Sequence, residues 1–150
     1  ALLRLLKVMK KFKENKEKIN LYIIGDGEDK NLYDNYIKKE KLDNVFMLGS
    51  KSNPYPYIKK ADVFVLPSNY EGFPVTVIEA LTLKTKVVTT INVSSPKFNL
   101  EDYVFLCEKN EEDIYNKIIE AIKSKNKKVF NDKDFYNNVI KQTKKLLERK

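Results

Sequence analysis

Five short apolar runs constrain this chain more than any other feature. They are residues 19–24, 44–49, 61–66, 86–90 and 103–107. Each is short for a helix, and none alternates cleanly between apolar and polar residues, which suits strands buried on both faces. Segments of helical periodicity separate them. Strands alternating with helices build βαβ units, and such units give a parallel sheet with helices on both sides. The expected fold class is therefore α/β: a Rossmann-like, three-layer α/β/α domain with a parallel sheet. At 150 residues, 42% of them apolar, the chain can form one domain with a substantial core.

Leu2, Leu5, Leu6, Met9 and Phe12 recur at helical spacing, so the chain enters a helix at once. A compact α/β domain rarely starts that way, and Ala1 is expected to lie inside a longer protein. Further helices are expected around Leu32–Ile37, over Tyr55–Lys60 and over Val75–Leu83. Another spans Glu111–Lys123, with Ile114, Ile118, Ile119 and Ile122 inward. Residues 125–131 read as a lysine- and asparagine-rich connector. Residues 132–148 close the chain as a helix carrying Phe135, Val139, Ile140, Leu146 and Leu147. An exposed stripe on Phe135, Val139 and Leu146 would suit a helix that crosses to another domain.

Composition removes several chemistries. There is no His, and Cys107 is the one Cys. This excludes His-based acid–base catalysis, Ser/His/Asp and Cys/His triads, disulfide frameworks and structural zinc sites. No apolar run approaches the ~20 residues a bilayer crossing needs. The net charge is +8, yet only Arg4 and Arg149 are arginines. Lysine supplies point charges, not the bidentate forks of base readout. The excess could attract anions in general, a lysine-rich composition that keeps the domain soluble being the preferred source of most of it, and nucleic acid is not an expected partner.

In parallel sheets, ligands lie beyond the carboxyl ends of the strands. All four glycines, Gly25, Gly27, Gly49 and Gly72, stand at or near such ends, where a missing Cβ admits close approach. The segment from Pro67 to Ala80 is the most informative. Pro74 suits the first position of a helix, whose free N–H groups and positive dipole end favour a phosphate or diphosphate. Glu71 precedes that helix and Glu79 lies over one turn inside it. Two carboxylates in one crevice suit a polyhydroxylated ligand. Taken alone, the pair is better read as a dipole cap and a solvated helix residue. Thr89 and Thr90 are ordinary strand residues that could reach a ligand. Lys97 could meet a diphosphate, although a plain surface position suits it better. Tyr55 and Tyr57 could stack on a base, although packing against the sheet is the preferred expectation. The Lys125–Lys128 cluster could touch anionic lipid, a solvated connector being preferred.

The Glu71-to-Glu79 segment resembles the glutamate–seven residues–glutamate motif of the retaining, group 1 (family 4) glycosyltransferases of the GT-B architecture. Gly25-Asp26-Gly27, Asn44–Gly49, Asn53-Pro54-Tyr55 and Ala61–Ser68 resemble further motifs of that family, in the same order. The resemblance covers about residues 1–125.

It implies that residues 1–150 are the C-terminal, donor-binding domain of such an enzyme, truncated on its N-terminal side. Glu79 would hold the ribose hydroxyls. Glu71, the catalytic candidate, would contact the donor sugar. Gly72, Phe73, Pro74 and Val75 would flank sugar and diphosphate, and Leu48 and Gly49 the base, with Gly25, Gly27 and Ser68 completing the donor surface. The implied donor is UDP-hexose or UDP-N-acetylhexosamine, with no metal and no separate cofactor. The implied partners are the absent N-terminal domain of the same chain and a cell-surface glycan or lipid-linked acceptor, met in the cytoplasm at the inner membrane face. The isolated domain would be inactive.

Three departures stand out. Lys84 and Lys86 stand where the family usually has a glycine and then a proline. Ser95-Pro96-Lys97-Phe98-Asn99-Leu100 lacks the glycine and glutamate of a donor loop. The family's phosphate-binding Arg and Lys would precede Ala1. A diverged donor preference is the favoured explanation. The alternative is a non-catalytic nucleotide-sugar-binding module of the same fold.

Overall fold

A computed structural model of the chain describes residues 1–69, 75–90, 100–125 and 128–147. The element order is α1 (Leu2–Glu14), β1 (Leu21–Ile24), α2 (Lys30–Lys39), β2 (Val45–Gly49), α3 (Tyr55–Lys60), β3 (Val63–Leu66), α4 (Val75–Thr82), β4 (Lys86–Thr90), β5 (Phe105–Cys107), α5 (Glu111–Lys123) and α6 (Asp132–Leu147). Every strand and helix expected from the periodicity forms, with ends shifted by a few residues.

All strand pairing is parallel. The strands form two groups, β1–β2 and β3–β4–β5. Two apolar clusters flank β3–β4–β5, and the first also covers one face of β1–β2. The first joins Leu5, Leu6, Met9 and Phe12 of α1 to Ile114, Ile118 and Ala121 of α5, over Val45, Val88, Phe105 and Cys107. The second joins Ile58 of α3, Val77, Ile78 and Leu81 of α4 and Phe135 of α6 to Val87, Leu100 and Val104. Val87 and Val88, adjacent on β4, enter opposite clusters, as strand alternation requires. β4 is thus covered on both sides, and this gives the three layers.

Cover is incomplete at the other end. Tyr22 of β1 and Phe46 of β2 stack with ring centroids 5.0 Å apart, and they remain 56% and 39% exposed. The short α3 packs into the second cluster, so this patch of β1–β2 stays open to water. Two helix faces also differ from expectation. Ile122 is exposed instead of inward. On α6, Phe135 is buried and Val139 packs against the second cluster, because Phe130 bridges Tyr103 and Phe135. The expected exposed stripe is used internally there, and the side chain of Leu146 lies outside the described residues.

Helix ends show how a glycine-poor chain terminates helices. Lys16, Lys41 and Lys84 have φ of 57°, 52° and 63°. Each follows a helix, and the next residue's N–H reaches back five residues, as in Glu17 to Phe12, Leu42 to Ile37 and Thr85 to Ala80. The lysine N–H groups bond to the carbonyls of Lys13, Lys38 and Leu81. These are Schellman motifs with lysine in the left-handed position usually given to glycine. Lys84, one departure from the family pattern, therefore adopts the backbone conformation a glycine would supply.

Candidate donor site

The site is built at the carboxyl edge of the strands. At the ends of β1 and β2, the Gly25 N–H donates to the Gly49 carbonyl over 3.0 Å. Gly25 and Gly49 have φ of 129° and 67°, values that L side chains rarely adopt. Space beside Gly25 and Gly27 is open, whereas the Asp26 carboxylate lies beside Gly49, 3.6 Å from where a Cβ would stand. Asp26 Oδ2 accepts the Ser50 N–H over 2.8 Å. That bond, aided by Lys30, holds the Asp26 carboxyl below the usual carboxylate range. Asp26 thus ties the two strand-end turns together. Sequence reasoning named the flanking glycines and missed it; an acidic residue between two glycines at a strand end was the available signal.

At the end of β3, four side chains hold the outgoing segment, three through its backbone and one through a side chain. Thr89 and Thr90 are buried, and their hydroxyls donate to the carbonyls of Leu66 (3.1 Å) and Ser68 (2.6 Å). They brace the chain around Ser68 from below. Lys109 Nζ donates to the Asn69 carbonyl over 2.6 Å, and Arg4 Nη2 donates to Asn69 Oδ1 over 3.0 Å. Arg4 Nη1 is buried without a hydrogen-bond partner among the described residues. Arg4 and Lys109 are 65 and 40 positions from Asn69, so no local pattern could have pointed to them. Glu71, Gly72, Phe73 and Pro74 follow this anchored residue and lie outside the described residues, as does the 91–99 loop with Lys97 and Phe98.

α4 returns from the carboxyl end of β3 to the amino end of β4. Since β3 and β4 run parallel, its N-terminus faces the carboxyl edge. Val75 begins it, exposed, and Glu79 sits one turn further on, half-buried. Val77, Ile78, Ala80 and Leu81 fill the inner face, which leaves Glu79 on the flank. There the Tyr55 hydroxyl donates to Glu79 Oε1 over 2.9 Å. The bond and the negative charge of Glu79 push the Tyr55 phenol above its ordinary value. Tyr55 and Tyr57 are 45% and 43% exposed, so the preferred expectation that both pack against the sheet is overturned. The reason is local. Pro54 precedes the first helical residue, Pro56 follows it, and Asn53 Oδ1 accepts the Tyr55 N–H over 3.2 Å. This short helix turns Ile58 inward and its tyrosines outward.

The remaining candidates serve the fold. Lys86 Nζ donates to the carbonyls of Ala121 (2.9 Å) and Ser124 (2.7 Å) at the C-terminus of α5. Cys107 is buried and its thiol is pushed up to about 11, chiefly by burial, as befits a core residue. Lys128 pairs with Asp102 at 3.5 Å. A hollow of about 580 Å³ between α1 and α5 is lined by Lys7, Lys10, Lys11, Glu111 and Glu112 among others. Lys7 pairs with Glu111, Lys10 with Glu40 and Lys11 with Glu112, so it presents no uncompensated cation to a diphosphate. No described helix is long and apolar enough to cross a membrane.

Comparison with known proteins bears on this geometry. A family model described as "Glycosyl transferases group 1" matches residues 2–146. An uncharacterised glycosyltransferase of Methanocaldococcus jannaschii is 36% identical over 107 residues, 67% of this chain and 26% of its own length. The N-acetylgalactosamine-N,N'-diacetylbacillosaminyl-diphospho-undecaprenol 4-alpha-N-acetylgalactosaminyltransferase of Campylobacter jejuni is 31% identical over 112 residues, 73% of this chain and 30% of its own length. Among solved structures, a variant of S. aureus TarM in complex with fondaparinux, alpha-GlcNAc-glycerol and UDP superposes with a TM-score of 0.72 at 23% identity. That match covers 99% of this chain and 30% of TarM. The chain thus spans about a quarter to a third of the length of these relatives.

Proposed function

The chain belongs to the group 1 glycosyltransferases, and on that footing we propose that it is the donor-binding half of a retaining GT-B enzyme. The donor is a UDP-hexose or UDP-N-acetylhexosamine, and the acceptor is a cell-surface glycan or lipid-linked sugar. The observation that carries the proposal is the placement of Glu79. It lies half-buried, one turn inside a helix whose N-terminus faces the carboxyl edge. The Campylobacter relative's name specifies transfer to a diphospho-undecaprenol-linked sugar, and the TarM structure carries UDP.

In this proposal the base rests by Leu48 and Gly49, and the ribose diol donates to the two oxygens of Glu79. Glu71 contacts the donor sugar. Breaking the sugar–phosphate bond develops positive charge on the sugar and negative charge on the departing diphosphate. N–H groups at the start of α4 face that negative charge, and one such preorganised donor is worth ~3 kcal/mol in other enzymes. Retention requires the acceptor hydroxyl to enter on the face the diphosphate leaves. The chemistry proposed calls on no metal. The acceptor would be presented by a further domain, met at the inner membrane face.

The alternative, a binding module without catalysis, drew on Lys84, Lys86 and Phe98. Lys84 caps α4 and Lys86 caps α5. Both lie by the amino end of β4, away from the carboxyl edge, so neither supports that reading; Phe98 lies outside the described residues.

The test is UDP titration of the 150-residue chain followed by amide NMR. Binding should shift the signals of Gly49, Val75 and Glu79, and Glu79→Ala should weaken it at least tenfold. Unchanged affinity in that variant contradicts the proposal.

A further inference from the structure

We infer that Tyr55 is a positioning residue of the donor site, holding the Glu79 carboxylate in the orientation that reads a ribose diol. The inference rests on the proposed role of Glu79 and adds to it the residue that fixes its geometry.

Three observations carry it. First, the Tyr55 hydroxyl donates to Glu79 Oε1 over 2.9 Å, while neither side chain is buried. An exposed tyrosine that turns its hydroxyl onto a specific carboxylate is not explained by core packing. Second, Tyr55 has little freedom to be elsewhere. Asn53 Oδ1 accepts its N–H, Pro54 and Pro56 flank it, and the Thr85 hydroxyl donates to the Ile58 carbonyl over 2.9 Å, tying α3 to the end of α4. Third, the bond crosses between two strand-end segments: Tyr55 follows β2, whereas Glu79 follows β3. It therefore links the segment proposed to meet the base to the side chain proposed to meet the ribose.

The chemistry follows from counting lone pairs. An ionised carboxylate has about four acceptor positions. Tyr55 occupies one, on Oε1. Oε2 and the second position of Oε1 remain for two hydroxyls, which is what a vicinal diol offers. Glutamate otherwise rotates freely, and binding would have to immobilise it. Tyr55 performs that immobilisation before the ligand arrives. The expected consequence is selectivity: nucleotides with both ribose hydroxyls benefit from Tyr55, and nucleotides without them do not.

The experiment measures UDP and 2′,3′-dideoxy-UDP binding to the 150-residue chain, to Tyr55→Phe, to Glu79→Gln and to the double variant. Unfolding midpoints confirm that each remains folded. Tyr55→Phe should weaken UDP three- to tenfold and leave dideoxy-UDP unchanged. It should add nothing to Glu79→Gln. If Tyr55→Phe binds UDP like the parent while Glu79→Gln weakens it, the role of Tyr55 is overturned and that of Glu79 stands. Equal weakening of both nucleotides also overturns it, since a general stacking or structural contribution would do that. If Glu79→Gln leaves UDP affinity intact, or the parent does not bind UDP, the diol reading fails and takes this inference with it.

Discussion

Lys16, Lys41 and Lys84 carry the cost of a glycine-poor sequence. Each sits in the left-handed region after a helix, where an L-residue loses about 1–2 kcal/mol relative to a right-handed position. Their positive charge at a helix C-terminus offsets part of this. Glycine would remove the strain but lose about 0.5–1 kcal/mol through its freer unfolded chain. Lys84→Gly should therefore raise the stability measured by urea unfolding by about 0.5–1 kcal/mol; a decrease would show that the lysine side chain matters more than its backbone. The sequence marked Lys84 as a departure without showing that it takes the left-handed conformation open to glycine. Glu79 was singled out as a candidate by the sequence because its spacing from Glu71 lies within one short segment. The contacts of Tyr55 and Asp26 were not legible, because a hydrogen bond between residues 24 apart, as in Tyr55 to Glu79 or Ser50 to Asp26, leaves no local periodicity.

Among the elements, α5 is the one whose start the sequence writes out most fully. Asn110 Oδ1 accepts the Asp113 N–H over 2.8 Å, and Asp113 Oδ2 accepts the Glu108 N–H over 2.6 Å. Glu111, Glu112 and Asp113 fill the first turn, where negative charge suits the dipole. Asn110→Ala should cost about 1 kcal/mol of stability in urea unfolding, and a neutral result would mean that Asp113 alone suffices as a cap. Helix periodicity placed Ile114 and Ile118 correctly and Ile122 wrongly. Periodicity gives the angle of a side chain about the helix axis. It does not say whether a neighbour is still present at the last turn. β1 and β2 fail for the same reason, since a continuous apolar run does not reveal that one face has no helix above it among the described residues.

For the whole molecule, the first apolar cluster is the tie between the two strand groups. Leu21 and Ile23 of β1 pack against it, and so do Val63 and Val65 of β3. Phe12 is fully buried at its centre, its ring 4.5 Å from that of Tyr115. Truncating a buried Phe costs about 3–5 kcal/mol, against a typical total of 5–15 kcal/mol for a domain. Phe12→Ala should therefore populate the unfolded chain visibly by circular dichroism at moderate urea. A loss below 1 kcal/mol would mean that α1 is not what joins the groups. The net charge of +8 has no comparable single role. Many lysines pair with acidic neighbours or cap helices, and at the carboxyl edge Arg4 and Lys109 hold Asn69 while Lys30 pairs with Asp26.

The sequence by itself determined the class of fold, the order of strands and helices, and where the strands end. Those features follow from periodicity and turn chemistry, which act over a few residues. Tertiary structure alone decided which faces found cover, which side chain restrains Glu79, and how Asn69 is gripped from α1 and from the turn before α5. These depend on contacts between residues tens of positions apart, and only the packed chain brings such residues within hydrogen-bond reach.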